Sequence, residues 1–257
     1  METDDFATTV KRLDILMCDG TTSEHVADRV IQEIPVDIIV NNEIIVTTAC
    51  AGIHLKELAI GFLRLEDIIS TPDDLEAIDI DEVNRAIYSI VKKPEPLTYE
   101  TSIYSSGARS RERSEDIPAV TSDIHVSTKR ILELMETHLA ATKLHNTTRG
   151  THCSSLAHPE RGILVSREDI GRHNTIDMIG GYCFLHGTDC TDKIMLTTGR
   201  VSAEIVFKIA KLGIPIILSH AVATSRAIEI AGHIGITVVG YIRNRKMRIY
   251  TNTKRVL

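Results

Sequence analysis

Short apolar runs alternate with helix-length segments along the last hundred residues, and no other feature narrows the possible folds as much. Ile163–Ser166 reads as a strand and 172–185 as a helix. Lys193–Thr198 is again a strand, and Ser202–Leu212 a helix; Ile214–Ser219, Ala223–Ile234 and Ile236–Ile242 repeat the order. Gly213 and Gly235 stand where helices must stop, in the position that favours a left-handed residue. A run such as Ile214-Pro215-Ile216-Ile217-Leu218 has no polar face, so it suits a strand covered on both sides. The expectation is an α/β layered sheet, at least partly parallel.

Upstream, the pattern differs. Val36–Val40 and 43–47 are short apolar runs joined by Asn41-Asn42, a pair that tolerates the positive φ of a tight hairpin. Leu55, Leu58, Ala59, Phe62 and Leu63 share one face of a helix, and Ala86–Val91 reads as a further strand. Residues 92–96 (KKPEP) interrupt the pattern and mark a boundary. Residues 1–30 show weak periodicity and read as a lead-in, 31–95 as a small α+β domain, and 96–257 as the α/β domain. Leu97–Tyr104 looks extended, and Ser105–Asp116 is small, polar and charged, as in an exposed loop. Residues 127–144 carry a helical stripe through Ile131, Leu134, Met135 and Leu139.

Composition excludes several classes. A 257-residue chain that is 43% apolar can bury a core without disulfide staples. Its five cysteines are an odd set with no CxxC pair, against a disulfide framework or a thiolate zinc site. With 29 Lys+Arg against 35 Asp+Glu, the net charge of −6 disfavours a broad nucleic-acid surface. No apolar run is long enough to span a membrane, and the acidic N-terminus lacks the order of a signal peptide. The expected location is the cytoplasm, with no nucleic-acid and no membrane partner.

Polar residues concentrate where strands end. Glu168, Asp169, Gly171, Arg172, His173, Asn174 and Asp177 follow one strand and open a helix, a place where free N–H groups favour phosphates. Gly199, Arg200, Ser202 and Glu204 hold the equivalent position one strand later; alone, they would read as an ordinary helix cap. His152 beside Cys153 raises the question of an activated thiol. Arg243, Arg245, Lys246 and Arg248 put four cations within six residues, either guarding an edge strand or binding phosphate.

Taken together, SREDIGRHNTIDMIGG, TTGRVSAEIVFKIAKLGIPIILSHAVATSRAIEIA and GITVVGYIR resemble the formate dehydrogenase accessory proteins, the FdhD family. PVDIIVNNEIIVTTACAGIHLKELAIGFLRLEDII is similar to that family's N-terminal block. The resemblance implies a cytidine-deaminase-like layered sheet with a smaller N-terminal α+β domain. It also implies a homodimer that helps to mature formate dehydrogenase. By the same resemblance the protein binds molybdopterin guanine dinucleotide, in its molybdenum or tungsten form, and passes sulfur to it from a cysteine desulfurase. Arg172, Arg200 and Arg243 would then meet phosphates, Asp169 or Glu168 a guanine edge, and Tyr241, Ile242, Arg243, Asn244, Arg245 and Lys246 would form the C-terminal cofactor strip.

The family's sulfur-carrying CxxC does not carry over: Ser106 and Arg109 stand at the cysteine positions of Ser105-Ser106-Gly107-Ala108-Arg109-Ser110. Serine forms no persulfide, which leaves Cys153 as the candidate thiol, with Arg149, His152 or His173 as its cationic neighbour. The deaminase zinc signature is missing too, so no metal of its own is expected. Two readings follow: a sulfurtransferase working through another thiol, and a cofactor-binding chaperone without covalent chemistry. A nucleotide hydrolase would need a metal or base constellation that the sequence does not offer.

Overall fold

The computed structural model describes residues 8–92 and 119–257. Ser105–Asp116, with Ser106 and Arg109, and the segment 97–104 lie outside the described residues.

The expected lead-in is instead a hairpin, β1 (Val10–Cys18) and β2 (Ser23–Ile31), paired over its whole length. Its turn is specified chemically: the Asp19 carboxylate accepts from the backbone N–H groups of Thr21 and Thr22 and from both threonine hydroxyls. Those bonds favour the ionised form and hold its pKa below the usual carboxylate range.

The N-terminal α+β unit follows. β3 (Ile34–Val40) and β4 (Glu43–Cys50) form the expected hairpin, with Asn41 and Asn42 at φ 48° and 70°. α1 (Leu55–Leu65) leads to β5 (Leu75–Asp81) and β6 (Ala86–Val91), giving a four-stranded sheet in the order β4-β3-β6-β5. β5 was not foreseen: its regular alternation is confined to residues 78–81, after a register shift between Leu75 and Ala77.

Past the boundary, the expected long helix is two: α2 (Thr128–Ala140) and α3 (Lys143–Thr148). Then come β7 (His152–His158), β8 (Gly162–Asp169), α4 (Arg172–His186), β9 (Ile194–Thr197), α5 (Ala203–Lys211), β10 (Ile216–Ser219), α6 (Ser225–Ile234), β11 (Thr237–Arg243) and β12 (Lys246–Ile249). Six strands make one mixed sheet in the order β12-β11-β10-β9-β7-β8, parallel only where β9, β10 and β11 adjoin. The chain is thus a mixed α/β protein with three sheets among its described residues.

The six-stranded sheet is buried on both faces. On one, Leu156, Met195, Ile217 and Val238 pack against α4, α5 and α6; on the other, Ala157, Leu196, Leu218 and Ile242 pack against α2. α4 is buried nearly all round because α1 covers its outer side. The two helices cross in direct backbone contact: a Cβ on Gly61 would fall 1.7 Å from the Asp177 carbonyl oxygen, and one on Gly181 1.9 Å from that of Glu57. Neither obstacle is a side chain that could swing away. Gly61→Ala and Gly181→Ala are therefore each expected to cost at least about 3 kcal/mol, at or beyond the upper end of overpacking penalties. Denaturant unfolding measures the loss; stability within about 1 kcal/mol of the parent would contradict this packing.

Candidate functional site

β9, β10 and β11 run parallel, so their carboxyl ends share one edge of the sheet. β7 is antiparallel to β9 and β8 to β7, which brings the start of β7 and the end of β8 to that same edge. Three separate sequence motifs therefore become neighbours.

Backbone bonds fasten the loops to one another. The Thr198 N–H donates to the Cys153 carbonyl at 3.0 Å and the Val201 N–H to the Val222 carbonyl at 3.1 Å; the Tyr241 N–H donates to the Ala221 carbonyl at 2.6 Å. Ser219 Oγ donates to the Gly199 carbonyl at 2.8 Å. Gly199 is needed for its size, since a Cβ there would sit 2.9 Å from Arg172 Cβ.

At the centre of the edge stand the starts of α4 and α5, and neither receives a side-chain cap. Ser202 occupies the cap position of α5, but its buried Oγ has no hydrogen-bond partner among the described residues; neither has Arg172 Nε. His173 Nε2 lies 3.1 Å from Glu204 Oε2, close enough for an ion pair but not aligned as a hydrogen bond. Burial, followed by the charge of nearby Arg200, lowers the pKa of Arg172, while Glu204 pulls the other way. His152, 3.2 Å from the Thr198 hydroxyl, is likewise held below the ordinary imidazole range by burial and then by Arg172. Uncapped N–H groups, crowded cations and orphaned donors are the chemistry of an anion site. Arg172, His173, Gly199, Arg200, Ser202, Glu204 and His152 are brought together.

Other expected site residues bond within the fold. Asp169 is fully buried and accepts from Ala51 N at 2.8 Å, Gly171 N at 3.0 Å and Asn174 Nδ2 at 2.8 Å. Burial pushes its pKa up to about 6. Asn174 also donates to the Ala49 carbonyl, so the pair ties α4 to the four-stranded sheet. Glu168 accepts the N–H groups of Leu144 and His145 at the start of α3. Asp177 binds Lys208 Nζ at 2.6 and 2.8 Å beneath the helices. These carboxylates are already engaged by groups of the fold.

The C-terminal strip divides in the same way. Ile242 points into the core, 2% exposed. Tyr241, at φ 56°, presents a ring over which the Arg243 and Arg248 guanidinium carbons stand at 3.9 and 4.5 Å. Asn244 and Arg245 form the turn beyond the edge, and Lys246 opens β12, which is indeed an edge strand.

Cys153 lies away from the sheet edge, in surroundings that disfavour a thiolate. It is fully buried on the α2 face of β7, opposite His152, and none of the three foreseen cations is among the groups that shift it. Burial, with Glu168 adding to it, raises the thiol to about 12. The imidazole it meets is that of His138, whose Nδ1 lies 3.9 Å from Sγ and 2.7 Å from Ser155 Oγ. His138 and His220 were both missed. His220 was legible in principle: it follows Ser219 at the third strand end of the same edge, beside the two strand ends that were read.

The comparisons with known proteins agree with this architecture. The FdhD/NarQ family model matches residues 31–257. This chain belongs to the FdhD/NarQ family. It is 34% identical to a sulfur carrier protein FdhD of Bacillus pumilus, across 89% of this chain and 90% of that protein. It is 33% identical to one from Listeria innocua, across 96% and 98%. A crystal structure from Desulfotalea psychrophila, described as a formate dehydrogenase accessory protein, superposes with a TM-score of 0.82 at 24% identity, covering 97% of this chain and all of that one. That likeness shows a shared fold. No helix among the described residues is long and apolar enough to cross a membrane.

Burial also sets a pH dependence. In the unfolded chain a histidine takes up its proton near pH 6.5, whereas burial, followed by the field of His220, lowers His138 to about 4. The unfolded state then binds more protons between those values, so stability is lost as pH falls through the window. Between about pH 7 and pH 5 this one group should cost on the order of 2 kcal/mol. Urea unfolding at both values, compared with His138→Gln, isolates the effect; equal losses in parent and variant would refute it.

Proposed function

We propose that this chain is an accessory protein of formate dehydrogenase maturation that binds molybdopterin guanine dinucleotide, in molybdenum or tungsten form, as cargo at the C-terminal edge of the six-stranded sheet. The observation that carries this reading is the pair of uncapped helix starts with buried, unpartnered Arg172 Nε and Ser202 Oγ beside Arg200. Phosphate oxygens would satisfy these donors and relieve the repulsion between the guanidiniums. The relatives' printed names support the maturation role. Formate dehydrogenase is the client in this reading, the cytoplasm its place, and the deaminase-like layering its fold.

Sulfur carriage is the second reading, and those same names favour it. It requires a thiolate, because the thiolate rather than the thiol attacks a donor persulfide. Cys153 does not supply one near neutral pH. We therefore favour binding and presentation of the cofactor without covalent chemistry at Cys153.

Titration calorimetry with GDP tests the pocket. Arg172→Ala and Arg200→Ala should each weaken binding by about ten- to a hundredfold, the value of a lost charge-assisted hydrogen bond. Arg243→Ala, on the adjoining strip, should weaken it less. Unchanged affinity in the first two variants would remove the assignment. Incubation with a cysteine desulfurase and cysteine, followed by cyanolysis, tests the thiol: thiocyanate release should be the same from the parent and from Cys153→Ala. A release that Cys153→Ala abolishes would restore the covalent mechanism.

A further inference from the structure

Far from the candidate edge, the fold brings two free cysteines together. Cys183 lies in the last turn of α4, and Cys190 in the loop that leads to β9. Both are buried in the core cluster shared by α4, α5 and α6. Gly187, at φ 58°, ends the helix in the left-handed region, and the Thr188 N–H donates to the Cys183 carbonyl at 2.9 Å. The chain thereby folds back over the helix end. The Cys190 thiol donates to the Thr188 carbonyl at 3.5 Å, and the Cys183 thiol donates to the Cys190 sulfur.

The two sulfurs are not equivalent. Donation from Cys183 favours a negative charge on Cys190 and lowers its pKa; burial opposes this, the Lys193 ammonium adds to it, and Asp189 and Asp192 work against it. Cys183, the donor, is raised by that same bond and then by burial. Cys50 and Cys153 are both pushed up to about 12, chiefly by burial. Asp189 and Thr191, on either side of Cys190, are exposed, so this sulfur lies where the core meets the surface.

We infer that Cys183 and Cys190 are a redox pair, which a small peroxide oxidises to a reversible disulfide fastening the end of α4 to the start of β9. The Cys190 thiolate attacks one oxygen of hydrogen peroxide; the O–O bond breaks, and the departing hydroxide takes up a proton as water. Cys190 is then a sulfenic acid. The Cys183 sulfur, already beside it, attacks the Cys190 sulfur, so the S–S bond forms as the S–O bond breaks. The hydroxyl leaves as water with the Cys183 proton. Together the thiols lose two electrons, and one peroxide becomes two waters; a dithiol reductant reverses the change by exchange. The pair sits at the opposite end of the sheet from the carboxyl ends of β9 and β10, so the inference does not depend on the cofactor reading.

Peroxide treatment of the folded full chain, with exposed Cys18 replaced by serine, tests it by mass spectrometry. Trypsin leaves both cysteines in one peptide, 173–193, which should lose the mass of two hydrogens and regain it with dithiothreitol. Chymotryptic cleavage between the cysteines should leave the two halves linked. The pair should be consumed at least about tenfold faster than Cys50 or Cys153, as its thiolate character requires. Cys183→Ser keeps a donor beside Cys190 and should leave a sulfenic acid there that dimedone traps; Cys190→Ser should leave Cys183 unoxidised. An unchanged peptide, one that gains oxygen instead of losing hydrogen, or a link through Cys50 or Cys153 would overturn the pair. So would a disulfide that forms only in urea, and dimedone trapped on Cys183 would overturn the order of attack.

Discussion

Two helices touching at their backbones hold the molecule together. Gly61 of α1 and Gly181 of α4 remove the side chains that would keep helix axes at the usual 8–10 Å, and each helix then rests on the other's carbonyl oxygens. The close crossing buries α4 between the four-stranded and the six-stranded sheets. The start of α4 is fixed by a second set of bonds to the same neighbour: Asp169 takes the Ala51 N–H, and Asn174 gives to the Ala49 carbonyl. The position of Arg172 on the sheet edge therefore depends on contacts with the other unit of the chain.

Much of the layered sheet was legible because its elements follow local rules. Continuous apolar runs became the buried strands β9 and β10, and the left-handed Gly213 and Gly235 ended the helices before β10 and β11. The Asn41-Asn42 turn was legible for the same reason. The β1–β2 hairpin was not. Its Asp19-Gly20 turn carried a signal, but both strands are largely exposed, so no buried face imposed the alternation on which the reading relied. Nor could periodicity reveal the role of Gly61 and Gly181, since a glycine at a helix crossing looks like a weak helix position until its neighbour is known.

The convergence of the candidate motifs on one edge was legible, and their partners were less so. Strand ends followed by glycine, a cation and a helix fall on one edge as the topology of such sheets requires. Which polar residues remain open was not readable, because burial decides it. Asp169, Glu168 and Asp177 look in sequence like ligands for a base or a cation, and each is consumed by an amide or an ammonium of the fold. Cys153 shows the same effect in a thiol. One residue's shift along β7 separates the wet side of His152 from the dry side that meets α2, and burial there removes the thiolate that its sequence neighbours seemed to promise.

A chain of net charge −6 nevertheless sets Arg172 near Arg200 at two uncapped helix starts, and folding itself maintains that repulsion. Backbone bonds between the loops hold the two helix starts side by side, and Glu204 offsets only part of the charge. On the proposed reading, an anion there would offset the repulsion at helix starts that the backbone already places together, so less of the binding energy would be spent on ordering the loops. Recognition of this kind needs no nucleophile. Cofactor binding and sulfur chemistry are, on the proposed reading, separable: the first would need only the sheet edge, and the second a thiolate, which burial at Cys153 disfavours.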